Sequence, residues 1–127
     1  MEHLLELAKR NQERAWEVIR QTDIINIWKS VGAEINLVGS LNMGLLMKHK
    51  DIDFHIYTSP FRISDSFQAM ARLAENPLIK RIEYGNSLDT EERCVEWHAW
   101  FQDPNNALWH IDMIHIVNGR TYNRRTD

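Results

Sequence analysis

Seven consecutive residues, Asp51-Ile52-Asp53-Phe54-His55-Ile56-Tyr57, constrain this chain more than any other stretch. Successive side chains of extended backbone point to opposite faces, so strict alternation of polar and apolar residues predicts a half-buried strand. Asp51, Asp53 and His55 share one face, and Ile52, Phe54 and Ile56 the other. A second strand is predicted at residues 34–38, a β-branched and apolar segment that runs straight into Gly39-Ser40.

Elsewhere the period changes. Leu4, Leu7, Ala8, Ala15, Val18 and Ile19 recur near 3.6 residues, which predicts an amphipathic helix over residues 3–21. Thr22 or Asp23 is positioned to cap a shorter helix carrying Ile24, Ile25, Ile27 and Trp28 and ending at Gly32. Residues 41–49 suit a short helix or turn. After Thr58-Ser59-Pro60, Ser64 or Asp65 can cap a helix bearing Phe67, Met70, Ala71, Leu73 and Ala74, stopped by Asn76-Pro77. Strands are predicted at 79–87, 94–102 and 107–117, with a turn at Asp103-Pro104-Asn105-Asn106 and antiparallel hairpin pairing. This order, α-α-β-α-β-α-β-β-β, predicts an α/β (α+β) domain whose mixed sheet is flanked by helices.

Composition narrows the class. With 127 residues, 43% hydrophobic and 26% charged, the chain fits one soluble globular domain. N-terminal helices would occupy residues 3–31, a core 34–117 and a polar tail 118–127. Five glycines and three prolines exclude collagen-like and low-complexity chains. No apolar run approaches the roughly 20 residues a membrane span needs, and the charged N-terminus is unlike a secretory signal. A lone cysteine, Cys94, reads as a packing residue and points to a reducing, cytoplasmic setting. A net charge of −3 carries no strong nucleic-acid signal.

The chemistry lies where the first two strands meet. Glycine at a strand end lets backbone amides approach a ligand closely, so Gly39 and the Ser40 hydroxyl form a natural seat for phosphate oxygens. Lys48 and Lys50, flanking His49, could attract a triphosphate. Twelve residues after Gly39, Asp51 and Asp53 leave the same side of a strand. Two such carboxylates suit Mg²⁺, a hard cation usually held by carboxylates and substrate phosphates. A phosphate seat beside metal carboxylates is what nucleotidyl transfer requires, with two ions activating the attacking oxygen and stabilising the leaving pyrophosphate.

Gly39-Ser40-x10-Asp51-Ile52-Asp53-Phe54 resembles the signature of the nucleotidyltransferase superfamily that includes DNA polymerase β. The stretch Lys48-His49-Lys50-Asp51-Ile52-Asp53 is similar to that of aminoglycoside and lincosamide nucleotidyltransferases. It also resembles the minimal nucleotidyltransferases that pair with a small helical partner protein. The likeness spans residues 23–117, its specific part residues 39–54. It implies transfer of a nucleoside monophosphate from an NTP, ATP above all, to a hydroxyl or amine on a small molecule such as an antibiotic, or on a protein. It further implies two Mg²⁺ ions, with Mn²⁺ as a substitute, and a third carboxylate on a later strand. By resemblance Asp112, a charge set between apolar neighbours, would complete a metal set with Asp51 and Asp53. Glu96 is the rival and stays open. Gly39, Ser40, Lys48 and Lys50 would bind the nucleotide.

Other features read more plainly. His55, His98, His110 and His115 lie on or near strands but lack the spacing of a zinc protease, so they read as satisfied or surface residues. By parity, His55 and His110 share the face of the carboxylates and could support metal ligands from behind. Most of the five tryptophans should be core, with Trp109 on the face opposite Asp112. Arg120, Arg124 and Arg125 in the tail have no assigned role. Two other functions fit the same residues: a module that adenylylates or binds a small helical protein, and a non-catalytic nucleotide binder. A core this short leaves the acceptor pocket to a homodimer mate, another protein or residues after Asp127.

Overall fold

The structure, a computed structural model, describes residues 2–44, 47 and 49–117. Lys48, the polar tail and its arginines lie outside the described residues. Helices α1 (Glu2–Thr22) and α2 (Ile24–Ser30) precede β1 (Glu34–Val38), the single helical turn α3 (Gly39–Asn42) and β2 (Asp51–Tyr57). Helix α4 (Ile63–Leu73) then leads to β3 (Ile79–Ser87), β4 (Cys94–Gln102) and β5 (Leu108–Ile116). The sheet has the order β1-β2-β5-β4-β3; β2 and β5 run parallel and every other pair antiparallel. This is the mixed sheet flanked by helices that the sequence predicts.

Alternation decides which face is core. Ile52, Phe54 and Ile56 of β2, Val95, Trp97, Ala99 and Phe101 of β4, and Trp109, Ile111 and Met113 of β5 are buried on one face. They share a single apolar cluster with Ala15, Val18 and Ile19 of α1, Ile24 and Trp28 of α2, and Ala69, Met70 and Leu73 of α4. Each fully buried Ile or Phe contributes about 1.5–3 kcal/mol. A one-residue slip of β2 would forfeit that burial and drive Asp51 and Asp53 into the core, so the register is strongly specified. The opposite face carries Asp51, Asp53, His98, Trp100, His110 and Asp112, all exposed or half-buried.

Several local expectations differ from the outcome. The apolar stripe of α1 is buried only from Ala8 onward; Leu4 and Leu7 are exposed. Asp23 does precede α2, but in a left-handed conformation (φ 57°) without a capping bond to the helix. Its carboxylate accepts from Asn26 Nδ2 at 2.8 Å instead, and Thr22 closes α1 by donating to the Val18 carbonyl. Helix α4 starts at Ile63, so Ser64 and Asp65 lie inside its first turn rather than capping it. There Asp65 faces Arg62 across 3.7 Å, and negative charge suits a helix start. Trp28, Trp97 and Trp109 are core, whereas Trp16 is exposed and Trp100 half-buried.

His115 is fully buried against Trp28 and Phe61, with Nε2 at 2.8 Å from the Thr58 hydroxyl. Burial pushes its pKa down to about 4 and keeps the ring neutral. Burial likewise pushes the Cys94 thiol up to about 11, which makes it an inert packing residue.

The β4–β5 turn is fastened to α1 through one buried carboxylate. Asp103 Oδ2 accepts from Arg14 Nη2 at 2.8 Å and from Trp109 Nε1 at 3.3 Å. Its Oδ1 accepts from the Asn105 and Ala107 amides, each at 2.9 Å. Burial alone would raise the Asp103 pKa, but Arg14, the Ala107 amide and Trp109 outweigh it and hold the carboxyl below its usual range. Removing this hub leaves Arg14 and the indole without their shared partner. Asp103→Ala is expected to lower stability by about 3 kcal/mol in urea unfolding, with an unchanged slope.

Candidate active site

Two rows of side chains cross the half-exposed face. Parallel pairing sets Asp51 opposite His110 and Asp53 opposite Asp112. The antiparallel β4–β5 ladder adds Trp100 opposite His110 and His98 opposite Asp112. One row therefore reads Asp51, His110, Trp100, and the next Asp53, Asp112, His98. Glu96 lies one row further along, opposite Ile114, which in turn faces His55. Asp112 is thus the direct neighbour of Asp53, while Glu96 sits two strands from β2 and accepts from Ser87 Oγ at 2.8 Å.

On the other flank, Val38 pairs with Asp53, and the chain then turns into α3 through Gly39. Gly39 has φ +79°, and a Cβ there would stand 2.9 Å from Asp53 Oδ2. Absence of a side chain is what lets this turn lie against the carboxylate. Ser40 is exposed beside it. The sequence reading joins a strand end, a glycine turn and two aspartates, and the fold brings Gly39, Asp53 and Asp112 to one spot. Lys50 is not grouped with them. It lines a cavity of about 470 Å³ with Arg10, Arg14, Asp103 and Trp109, against α1.

The charges are closely set. Burial, the hydrogen bond shared with Asp112, and the negative charges of Asp112 and Asp51 together push Asp53 up to about 6, against a smaller opposing pull from His110. A half-buried carboxylate whose proton affinity is raised by burial and by two neighbouring carboxylates suits a divalent cation, whose charge would relieve the repulsion. The oxygen donors match the hard cations Mg²⁺ and Mn²⁺. On this ground the residues fit the metal that the resemblance implies.

His98, His110 and His115 each find a polar partner, as the sequence predicts, and two of them share one. His98 Nδ1 lies 2.6 Å and His110 Nε2 2.8 Å from the same Asp112 oxygen. His98 and Asp112 stand at equal distances from the β4–β5 turn, so counting outward from Asn105 would have paired them. His110 also stacks on Trp100, with centroids 5.0 Å apart, and Arg81 lies over the same indole at 5.4 Å.

No protein-family profile matches the chain, and no curated protein matches its sequence. Solved structures do resemble it. The non-canonical poly(A) polymerase in the GLD-2–GLD-3 complex matches with a TM-score of 0.58 at 11% identity, over 91% of this chain and 40% of that one. The GLD-2/RNP-8 complex also gives a TM-score of 0.58 at 11% identity, over 95% and 45%. The Cid1 poly(U) polymerase bound to Mg 3′-dATP gives 0.55 at 18% identity, over 95% and 38%. The chain thus spans less than half the length of each of these neighbours.

Two stability effects follow from this geometry. Without divalent ions at neutral pH, Asp53→Asn should raise Tm by on the order of 3 °C, since it removes a charge that folding disfavours; partial exposure limits the gain. A carboxyl with a raised folded pKa stabilises below its unfolded value, near 4, and loses that contribution as pH rises through about 6. The gain from the variant should therefore vanish below about pH 4, as thermal melts across that range would show. Gly39→Ala should cost about 1–2 kcal/mol, from left-handed backbone and displacement of Asp53, in chemical denaturation. The chain carries the nucleotidyltransferase fold.

Proposed function

We propose that this chain is the catalytic core of a divalent-metal-dependent nucleotidyltransferase, moving a nucleoside monophosphate from an NTP, ATP foremost, to a hydroxyl or amine. The observation that carries the reading is the register of β2 and β5. It sets Asp53 beside Asp112 on a half-exposed face, with the Gly39 turn against the same carboxylate. Asp51, Asp53 and Asp112 would hold two Mg²⁺ ions, or Mn²⁺ in their place. Bound there, the ions would supply Lewis acidity at the α-phosphate and charge neutralisation for the departing pyrophosphate.

The protein's own part is positional. Gly39 and Ser40 would seat the β- and γ-phosphates where the α3 turn begins, and Lys48 would add positive charge for them; Lys50, which lines the cavity against α1, is not assigned that part. Asp112, held from the β4 side by His98, keeps its carboxylate aimed at Asp53. The acceptor oxygen or nitrogen forms a bond to the α-phosphorus as the bond to the bridging oxygen of the β-phosphate breaks. Pyrophosphate leaves, and the acceptor proton passes to Asp112 or to water.

The acceptor would be a small molecule or a protein, in a cytoplasmic setting. Because the larger polymerases resembling this chain run to more than twice its matched length, the acceptor pocket would be completed by a second copy, a small helical partner or further chain. The chief test incubates the protein with each NTP, Mg²⁺ or Mn²⁺, and an acceptor panel of aminoglycosides, proteins and an oligoribonucleotide, and reads adducts by mass spectrometry. Asp53→Asn and Asp112→Asn should each lower pyrophosphate release by more than the roughly 100-fold that loss of an outer metal-site partner costs. Undiminished turnover in either variant would refute the assignment.

A further inference from the structure

We propose that His98, His110 and Asp112 form a binding site for a Zn²⁺-class transition metal, set on the same sheet face and sharing Asp112 with the carboxylate site. The inference does not depend on nucleotidyl transfer. Among the described residues, these three side chains form a group of metal-type donors close enough to share one ion. His98 Nδ1 lies 3.1 Å from His110 Nε2, and both lie within 2.8 Å of Asp112 Oδ1.

The outer contacts single out this cluster. His98 Nε2 faces Glu96 Oε1 at 3.6 Å, and His110 Nδ1 faces Asp51 Oδ1 at 3.4 Å. Each imidazole thus turns one nitrogen to the shared centre and the other to a carboxylate. These outer contacts are longer than hydrogen bonds, but they set a carboxylate on the side of each ring from which metal-bound histidines are oriented. Glu96 is itself held by Ser87 Oγ. The rings are further fixed by stacking: His98 and His110 lie 13° from parallel, and His110 lies 20° from Trp100.

Donor chemistry selects the ion. Two imidazole nitrogens and one carboxylate oxygen favour Zn²⁺ and Co²⁺, whereas Mg²⁺ prefers oxygen donors and retained water. Zinc–nitrogen and zinc–oxygen distances of about 2.0–2.1 Å put tetrahedral ligand atoms about 3.3 Å apart. The present spacings must therefore open by up to about 0.7 Å, a change that small side-chain rotations at three half-exposed residues can supply. Three protein ligands leave the fourth position free for water or a phosphate oxygen, as in open zinc sites. The ligands come from the middle of two adjacent paired strands, which makes the site rigid.

The test titrates metal-free protein with Co²⁺, without nucleotide, and follows visible d–d absorption. Wild type and Asp53→Asn should both take up one tight equivalent with the visible d–d absorption of a nitrogen-ligated site, whatever weaker Co²⁺ the carboxylates add in wild type. His98→Gln and His110→Gln should weaken binding by more than about 100-fold, and Glu96→Gln by about 10-fold, the scale for an outer partner. Circular dichroism checks that each variant is folded. Proton NMR of the wild type gives a readout independent of the variants: substoichiometric Co²⁺ should broaden the His98 and His110 ring signals before those of the other four histidines. The proposal fails if wild type binds no Co²⁺, if the histidine variants bind it unchanged, or if all six rings broaden together. It fails equally if Asp53→Asn loses Co²⁺ as the histidine variants do, because the ion would then belong to the carboxylate site. Absence of nucleotidyl transfer would leave every one of these readings intact.

Discussion

The parallel pairing of β2 with β5 is the constraint on which the rest of the structure depends. Parallel neighbours cannot be joined by a tight turn, and here α4, β3 and β4 intervene before the chain returns beside β2. Their register is held from the buried side, where Ile52 and Phe54 lie level with Ile111 and Met113. Because side chains alternate, packing on that face fixes what happens on the other. Asp53 must fall beside Asp112, and Asp51 beside His110. The half-exposed face is thus assembled by hydrophobic burial that it does not itself take part in.

Two aspartates show how one chemical group is handled in opposite ways. Asp103 is almost completely buried, yet Arg14, Trp109 and two backbone amides satisfy it, and its carboxyl stays easily ionised. Asp53 has no such partners: its burial, together with the facing carboxylates Asp112 and Asp51, disfavours its ionised form. The first arrangement holds α1 against the β4–β5 turn. The second sets three carboxylates close together, with only the His98 and His110 rings against Asp112, an arrangement whose repulsion a bound cation would relieve. Gly39 tightens the second site further, because its missing Cβ brings the α3 turn onto the same carboxylate.

Legibility in the sequence tracked the range of the interactions. The β2 alternation, the Gly39-Ser40 strand end and the three late strands are local periodic signals, and each element forms close to its expected span. The helix starts were less legible. Ser64, Asp65, Thr22 and Asp23 all have capping side chains, but the bonds they make depend on neighbours such as Arg62 and Asn26. Leu4 and Leu7 fit a helical stripe by period, yet α1 meets the core only from Ala8 onward. Lys50 stands next to Asp51 in sequence but lines a cavity against α1 with Arg14 and Asp103.

The sequence by itself determined the fold class, the two-faced character of β2 and the spacing between the glycine turn and the paired aspartates. Alternation and turn chemistry act within a few residues and need no partner to be read. Only the tertiary structure decided which later residue stands beside Asp53, and that His98 and His110 converge on Asp112. Those neighbours are set by strand order and register, which come from packing a whole sheet face against three helices. Parity can say which face a residue occupies, but only the assembled sheet brings residues from separate strands to within hydrogen-bonding distance.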